Sequence, residues 1–228
     1  MPRRVHDRVI LFDVDDTLID NDGFKEELRR HLVHAYGRKA NDRYWEIYEV
    51  VRKERGYADF LETLQRYRTE QLHDPRLVCM SGWLLDYPFA ERLYPRALSV
   101  VSHMRGFGLP VILSDGDAVF QPRKIEKSGL WHAFDGHVLI YIHKQAELDS
   151  VEHFYPAKHY VIIDDKLQIL DAVKQKWGDR VTTVFAKQGH YANDPAKNAG
   201  LAPADLTIGH IEELMCPDFS FLLYTTYA

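Results

Sequence analysis

The chain is poor in the features that define several large groups of proteins. Its 228 residues include two cysteines, Cys79 and Cys216. Two cysteines cannot build a disulfide framework or a four-cysteine metal site, and lone buried thiols are expected. No apolar run approaches the length of a membrane span. The first residues lack the apolar stretch of a secretory signal. A cytoplasmic location is expected, with no membrane partner. Lys and Arg are scattered, and the formal charge is −5, which argues against a nucleic-acid polymer as partner. The early glycine fingerprint of a dinucleotide site is missing, as is the Gly and Lys spacing of a P-loop. His31 and His34 share a helical face, but no nearby residue completes a zinc site, so a packing role is expected. Internal repeats and low-complexity tracts are absent.

What is present begins with apolar residues, 46% of the chain, enough for a substantial core. Short apolar runs stand at Val9–Phe12, Pro110–Leu113, Val138–Ile142, Tyr160–Ile163, Val181–Phe185 and Asp205–Ile208. They are rich in Val, Ile and Leu and do not alternate cleanly, as expected for strands of a parallel sheet covered on both faces. Helical patterns at Leu98–Met104 and Leu167–Gln175 lie between them. The repeated strand–helix order predicts an α/β fold with a Rossmann-like parallel sheet core. The interval from Asp20 to Pro95 differs. Leu28, Leu32 and Ala35, then Tyr44, Ile47, Tyr48 and Val51, then Phe60, Leu61, Leu64 and Tyr67 recur at helical spacing. This predicts an inserted helical cap over 20–95, with the core formed by 1–19 and 96–228. Its aromatics, including Tyr44, Trp45, Tyr48, Tyr57, Trp83, Tyr87 and Phe89, are expected to pack helix against helix. The apolar tail Phe219–Leu223 is expected to dock within the chain or on a partner that the sequence does not identify.

Polar clusters follow four of the predicted strands. Asp13-Val14-Asp15-Asp16-Thr17-Leu18 follows the first, Ser114-Asp115-Gly116-Asp117 the second, Lys144 the third and Asp164-Asp165 the fourth. Open parallel sheets bind ligands beyond the carboxyl ends of their strands, so the four clusters are expected on one rim. Crowded carboxylates repel, and each Asp taken alone suits a cap or a turn. Four strand ends together point to a hard cation. Mg2+ fits best, since it is commonly held by one or two carboxylates and a substrate phosphate.

The ordered motifs resemble those of the haloacid dehalogenase-like hydrolase superfamily, in its phosphatase branch. That family opens with an apolar strand and Asp-x-Asp-x-Thr-Leu, here Asp13 to Leu18. A Ser or Thr at a second strand end corresponds to Ser114, a Lys to Lys144 and a terminal acidic pair to Asp164-Asp165. Tyr94–Ala97, Lys127–Asp135 and Ala204–Ile208 extend the similarity over nearly all of the α/β part. The resemblance implies Mg2+-dependent hydrolysis of a small phosphorylated metabolite through an aspartyl-phosphate. Asp13 is the implied nucleophile, and Asp15 the acid and then the base. Ser114, Lys144, Asp115 and Gly116 are expected to bind the phosphoryl group. Asp13, the carbonyl of Asp15, Asp165 and Asp164 are the implied Mg2+ ligands. An additional family Asp, four residues beyond the metal ligand, is replaced here by Ile169. Lys124, Lys127 and Lys158 compete with Lys144 for the family lysine. Lys124 and Lys127 are expected on an exposed helix face, and Lys158 lies too close to its strand. His143 is expected to be structural or to touch substrate. A haloacid dehalogenase, a phosphomutase and a noncatalytic phosphate-binding module are the alternatives. Dehalogenation makes poor use of Asp15, because halide leaves without a proton.

Overall fold

A computed structural model describes residues 4–217. The tail Phe219–Leu223 lies outside the described residues. Six parallel strands form one sheet in the order β3-β2-β1-β4-β5-β6. They are β1 (His6–Phe12), β2 (Leu109–Asp115), β3 (Val138–Tyr141), β4 (Ala157–Asp164), β5 (Val181–Ala186) and β6 (Leu206–Ile208). The expected α/β architecture is therefore observed. Val9 pairs with Leu109 on one side and Tyr160 on the other, which centres β1 in the sheet.

The absence of clean alternation in the strands has a direct cause. Ile10 and Phe12 of β1, Ile112 of β2 and Val161 and Ile163 of β4 enter one apolar core. Val9, Leu11, Val111, Leu113, Tyr160 and Ile162 enter another on the opposite face. Both sets are desolvated, so successive positions must all be apolar. The first core is closed by α5 (Ala97–Met104), α6 (Phe120–Lys127) and α7 (Leu130–Ala133). The second is closed by α8 (Leu148–Phe154) and α9 (Leu167–Trp177).

Four helices occupy the connection from β1 to β2: α1 (Asn21–Tyr36), α2 (Arg38–Arg55), α3 (Phe60–Glu70) and α4 (Leu77–Asp86). Local chemistry sets their ends. Asp20 caps α1 by accepting from Gly23 N, and Asp59 caps α3 by accepting from Glu62 N. Gly56 ends α2 in the left-handed conformation, at φ 82°. The aromatics pack as their spacing predicts. Phe24 lies 5.2 Å from Phe60 and 4.9 Å from Phe89, centroid to centroid. Phe120 of α6 joins them at 5.3 Å from Phe60, so the helical segment shares the core of one sheet face.

The incoming and outgoing chains of this segment run side by side. Asp20 N donates to Arg92 O at 2.8 Å and Tyr94 N to Leu18 O at 2.9 Å, with Ile19 bridged to Leu93 between them. Among the described residues no helix is long and apolar enough to cross a membrane. One expectation fails here: Cys79 and Cys216 are free but exposed. Cys79 falls on an outward position of α4, whose buried residues are Leu77, Met80 and Leu84.

Candidate active site

The site is assembled where β1, β2 and β4 end. Asp13 N donates to Ile163 O at 2.9 Å, which carries the β1–β4 ladder one step past Phe12. The chain then turns sharply, with Leu18 N and Ile19 N both donating to Val14 O at 2.9 Å. Asp16 takes φ 58° in this turn, a conformation Asp tolerates better than most residues. Its Oδ1 accepts from Asn21 N and Asp22 N at 3.0 and 3.1 Å, holding the start of α1. Burial raises the Asp16 carboxyl to about 7, with Lys25 opposing the rise.

Asp13 is buried, and one of its oxygens is paired with Lys144 Nζ. The other, Oδ2, is buried without a hydrogen-bond partner. Lys144 Nζ also lies 2.6 Å from Asp164 Oδ2. Burial alone would lower the Lys144 ammonium, but Asp13 and Asp164 outweigh it and hold the ammonium well above its ordinary range. Burial likewise raises the Asp13 carboxyl, and Lys144 opposes it. Lys144 is anchored through its backbone, whose N–H donates to Asp115 Oδ1 at 2.7 Å.

Asp15 is held by two residues of α6. Lys124 Nζ donates to Asp15 Oδ1 at 2.6 Å and to Asn21 Oδ1 at 3.2 Å. Gln121 Nε2 donates to Asp15 Oδ2 at 3.0 Å and to Ser114 Oγ at 2.9 Å. The exposure expected for Lys124 is wrong: it is 2% exposed, with its ammonium 5.4 Å from the Phe120 ring centroid. Phe120, Gln121, Lys124 and Ile125 form the buried face of α6, and that phase carries the lysine inward. Burial would raise Asp15, but the Lys124 charge and hydrogen bond leave it lower than an ordinary aspartate. Gln121 and Lys124 were not among the expected site residues. A polar pair at i and i+3 between Phe120 and Ile125 was the available signal.

Asp165 contrasts with these paired groups. It is buried, and neither oxygen has a hydrogen-bond partner. Burial raises its carboxyl well above the ordinary range, against the pull of Lys166. Asp164 Oδ1 accepts from Lys166 N at 2.8 Å. One oxygen from each of Asp13, Asp164 and Asp165 lies within 4.8 Å of the others. Buried hard oxygen donors at this separation, with Asp13 Oδ2 and both Asp165 oxygens free of hydrogen bonds, fit a divalent cation of the Mg2+ type. Lys166, also outside the expected set, stands beside them. Burial opposes its charge, but Asp165 and Asp13 prevail and raise it to about 12.

A cleft of about 370 Å³ has Asp15, Asp115 and Lys166, the chain neighbours of these groups, in its wall. Its lining includes Asp15, Lys124, Asp115 and Lys166 from the sheet side and Lys25, Tyr48, Arg52 and Tyr57 from the helical segment. His143 also lines it, and its ring stands where a Cβ on Gly56 would be, 2.3 Å from Cε1. Gly116 sits behind the cleft. Its N–H donates to Tyr141 O at 2.9 Å, and a Cβ there would meet Gln121 at 2.6 Å. Asp13, Asp15, Ser114, Lys144, Asp164 and Asp165 are thus gathered at one place, Asp115 braces Lys144, and Gly116 makes room for Gln121.

Comparison with known proteins accords with this arrangement. A family model described as haloacid dehalogenase-like hydrolase matches residues 8–186. The chain is 54% identical to a protein from Burkholderia xenovorans LB400 described as a haloacid dehalogenase-like hydrolase. That alignment covers 95% of this chain and 99% of the other, with a TM-score of 0.90. The HAD-hydrolase YfnB of Bacillus subtilis, bound to magnesium, shares the fold at 18% identity, over 93% and 97% of the two chains, with a TM-score of 0.60. L-2-haloacid dehalogenase of Xanthobacter autotrophicus, with chloropropionic acid covalently bound, does so at 16% identity, over 90% and 96%, with a TM-score of 0.57. Among curated proteins none matches significantly. With the family model spanning most of the chain and the ordered strand-end motifs meeting at one rim of the sheet, the chain belongs to the haloacid dehalogenase-like hydrolases.

Proposed function

We propose that the protein is a Mg2+-dependent phosphomonoesterase acting on a small phosphorylated metabolite through an aspartyl-phosphate at Asp13. The observation that carries this reading is the setting of Asp15. A buried ammonium and an amide hold its carboxylate beside Ser114 at the cleft wall. Chemistry that needs a proton at the leaving atom has a use for this carboxylate, whereas halide expulsion has none.

The steps follow from the partners of each group. Asp13 Oδ2, free of hydrogen bonds, attacks phosphorus as the ester P–O bond breaks. Asp15 gives the leaving oxygen its proton. Lys124 keeps Asp15 ionised in the free site, so that proton arrives with the monoanionic form of the ester and passes through Asp15. Asp15 then takes a proton from water as the water oxygen attacks the aspartyl-phosphate. The P–O bond to Asp13 breaks and inorganic phosphate leaves. Lys144 stabilises negative charge on Asp13 and on the transferred group, and Ser114 orients a phosphoryl oxygen. Asp13, Asp165, Asp164 and the carbonyl of Asp15 would hold Mg2+. Bound there, it would orient the phosphate and shield the approach of one anion to another. The helical segment 20–95 serves as a cap that excludes water from the cleft. Two exposed, unpaired thiols suit a reducing cytoplasm.

The test is release of inorganic phosphate from a panel of phosphorylated metabolites, abolished by EDTA and restored by Mg2+. Chloride release from 2-chloropropionate is measured beside it. Asp15→Asn is expected to lower hydrolysis of alkyl phosphates by about 10²–10⁴-fold. The loss should be smaller for p-nitrophenyl phosphate, whose leaving oxygen hardly needs a proton. Equal rates for wild type and variant on both esters would remove Asp15 from the mechanism. Chloride release without phosphate release would replace the reading by dehalogenation.

A further inference from the structure

The cleft that Asp15 lines is walled elsewhere by a second polar group of residues. Tyr191, in the short helix Gly189–Ala192, stands there with cations around its ring. The Arg52 guanidinium carbon lies 5.1 Å from the ring centroid, Lys166 Nζ 5.5 Å and Lys197 Nζ 5.9 Å. Arg52 belongs to α2 and Lys166 follows β4, so the helical segment and the sheet each contribute a charge. Arg52, Lys166 and Tyr191 all line the cleft.

Arg52 differs from its neighbours in lacking a tight counter-charge. Other arginines of the helical segment close on carboxylates: Arg43 on Glu70 at 2.6 Å, Arg55 on Glu62 at 2.7 Å and Arg76 on Asp74 at 2.6 Å. The guanidinium of Arg52 makes no hydrogen bond among the described residues, and its nearest carboxylate is Glu49, at 3.8 Å. The ammonium of Lys166 likewise has neither a hydrogen bond nor an ion pair among the described residues. At the floor of the site, Lys144 and Lys124 are already matched by Asp13, Asp164 and Asp15. Lys166 faces Asp165 and Asp13 on its floor side, but it and Arg52 converge on one ring with no carboxylate hydrogen-bonded to either side chain among the described residues, so an anion placed between them is attracted by both.

We propose that Arg52 and Lys166, with Tyr191 beneath them, form a second-anion subsite. The substrate is then a phosphomonoester that carries a further anionic group, a carboxylate or a second phosphate, at the end away from the transferred phosphoryl. The planar fork of Arg52 suits bidentate contact with either group. The inference rests on the phosphomonoesterase reading for the placement of the first phosphoryl group, but its test does not depend on turnover.

The experiment measures binding to the Mg2+-loaded full chain by calorimetry. The probes are ω-phosphonocarboxylates and α,ω-bisphosphonates of increasing length, each beside the alkylphosphonate of the same length. None of them can be hydrolysed at the C–P bond by the proposed chemistry. At least one doubly anionic probe is expected to bind about tenfold or more tightly than its alkylphosphonate, the effect of one charge-assisted contact. Arg52→Met is expected to bring that ratio close to one, and Arg52→Lys to keep part of it. Whether the carboxylate or the second phosphonate gives the larger ratio identifies the anion. The proposal is overturned if no doubly anionic probe is preferred by the wild type. It is also overturned if the ratio survives in Arg52→Met, because Arg52 then only bridges α2 to Tyr191. Phosphate release from p-nitrophenyl phosphate, run in parallel, tests the phosphatase reading alone. Its absence alongside a ratio that depends on Arg52 leaves the subsite standing and removes the phosphatase.

Discussion

Replacing Lys144 by Met exposes how much of the site's order depends on one ammonium. The substitution keeps most of the side-chain volume and removes the charge that Asp13 and Asp164 share. Both carboxylates are buried, so water cannot take the place of the lysine. Breaking a buried ion pair from one side costs about 3–5 kcal/mol. Protonation sets a ceiling on that cost. Neutralising a carboxyl of ordinary pKa costs about 4 kcal/mol at pH 7 and about 1.5 kcal/mol at pH 5. A proton shared by Asp13 and Asp164 would relieve most of the repulsion. Burial already raises the Asp13 carboxyl and Lys144 opposes that rise, so in the variant the Asp13 carboxyl lies further above its unfolded value, and stability is retained at low pH and lost as pH rises through the raised value. The expected loss is therefore about 3–4 kcal/mol near pH 7 and at most about half of that near pH 5. For a chain of this size each kcal/mol corresponds to about 2–4 °C in melting temperature. Denaturant and thermal unfolding in EDTA, at both pH values, measure the difference between wild type and variant. A loss equal at the two pH values would assign the effect to packing. A loss below about 1 kcal/mol at pH 7 would refute the claim that these carboxylates depend on Lys144.

Further outcomes follow from groups on either side of that lysine. Asp165→Asn removes a buried charge whose oxygens have no partner, so the metal-free protein should become more stable while its stabilisation by Mg2+ disappears. A destabilised metal-free variant that still responds to Mg2+ in melting experiments would contradict the assignment of Asp165 as a metal ligand. Gly189 has φ 68°, and a Cβ there would lie 2.6 Å from Asp16 Cβ. Gly189→Ala should cost roughly 1–3 kcal/mol in denaturant unfolding. Gly178→Ala, at φ 55° but facing open space, should cost less, and equal costs would show that contact with Asp16 is immaterial.

The legible parts of the molecule are those in which chemistry is local in sequence. Apolar runs signal the strands most plainly in the sheet centre, where residues of β1, β2 and β4 are desolvated on both faces and leave no polar position to confuse the pattern. Asp13, Ser114 and Asp164-Asp165 stand directly after such runs, and a parallel sheet brings those ends together. Lys124 is different. It sits in the polar run Arg123-Lys124, and only the phase set by Phe120 and Ile125 turns it inward to Asp15. Its partner is 109 residues away in the chain, beyond the reach of helical periodicity. Lys166 is adjacent to the acidic pair, but nothing in that adjacency tells whether its side chain faces the cleft. Cys79 illustrates the reverse error. Cysteine is among the most often buried residues, yet one step of helical phase separates it from Met80, which is fully buried.

The pairing of Leu18–Asp20 with Arg92–Tyr94 has a consequence for how this architecture varies. Because the two crossings are hydrogen-bonded neighbours, the sheet meets the long excursion between β1 and β2 as it would meet a short hairpin. The register of Val9 against Leu109 is therefore insulated from what the excursion contains. Closing a chain loop becomes only logarithmically harder as it lengthens. Helices away from the Phe24–Phe60–Phe120 contact can be added or shortened without moving Asp13 relative to Ser114. The catalytic floor and the surface that reads the rest of a substrate are consequently free to diversify at different rates.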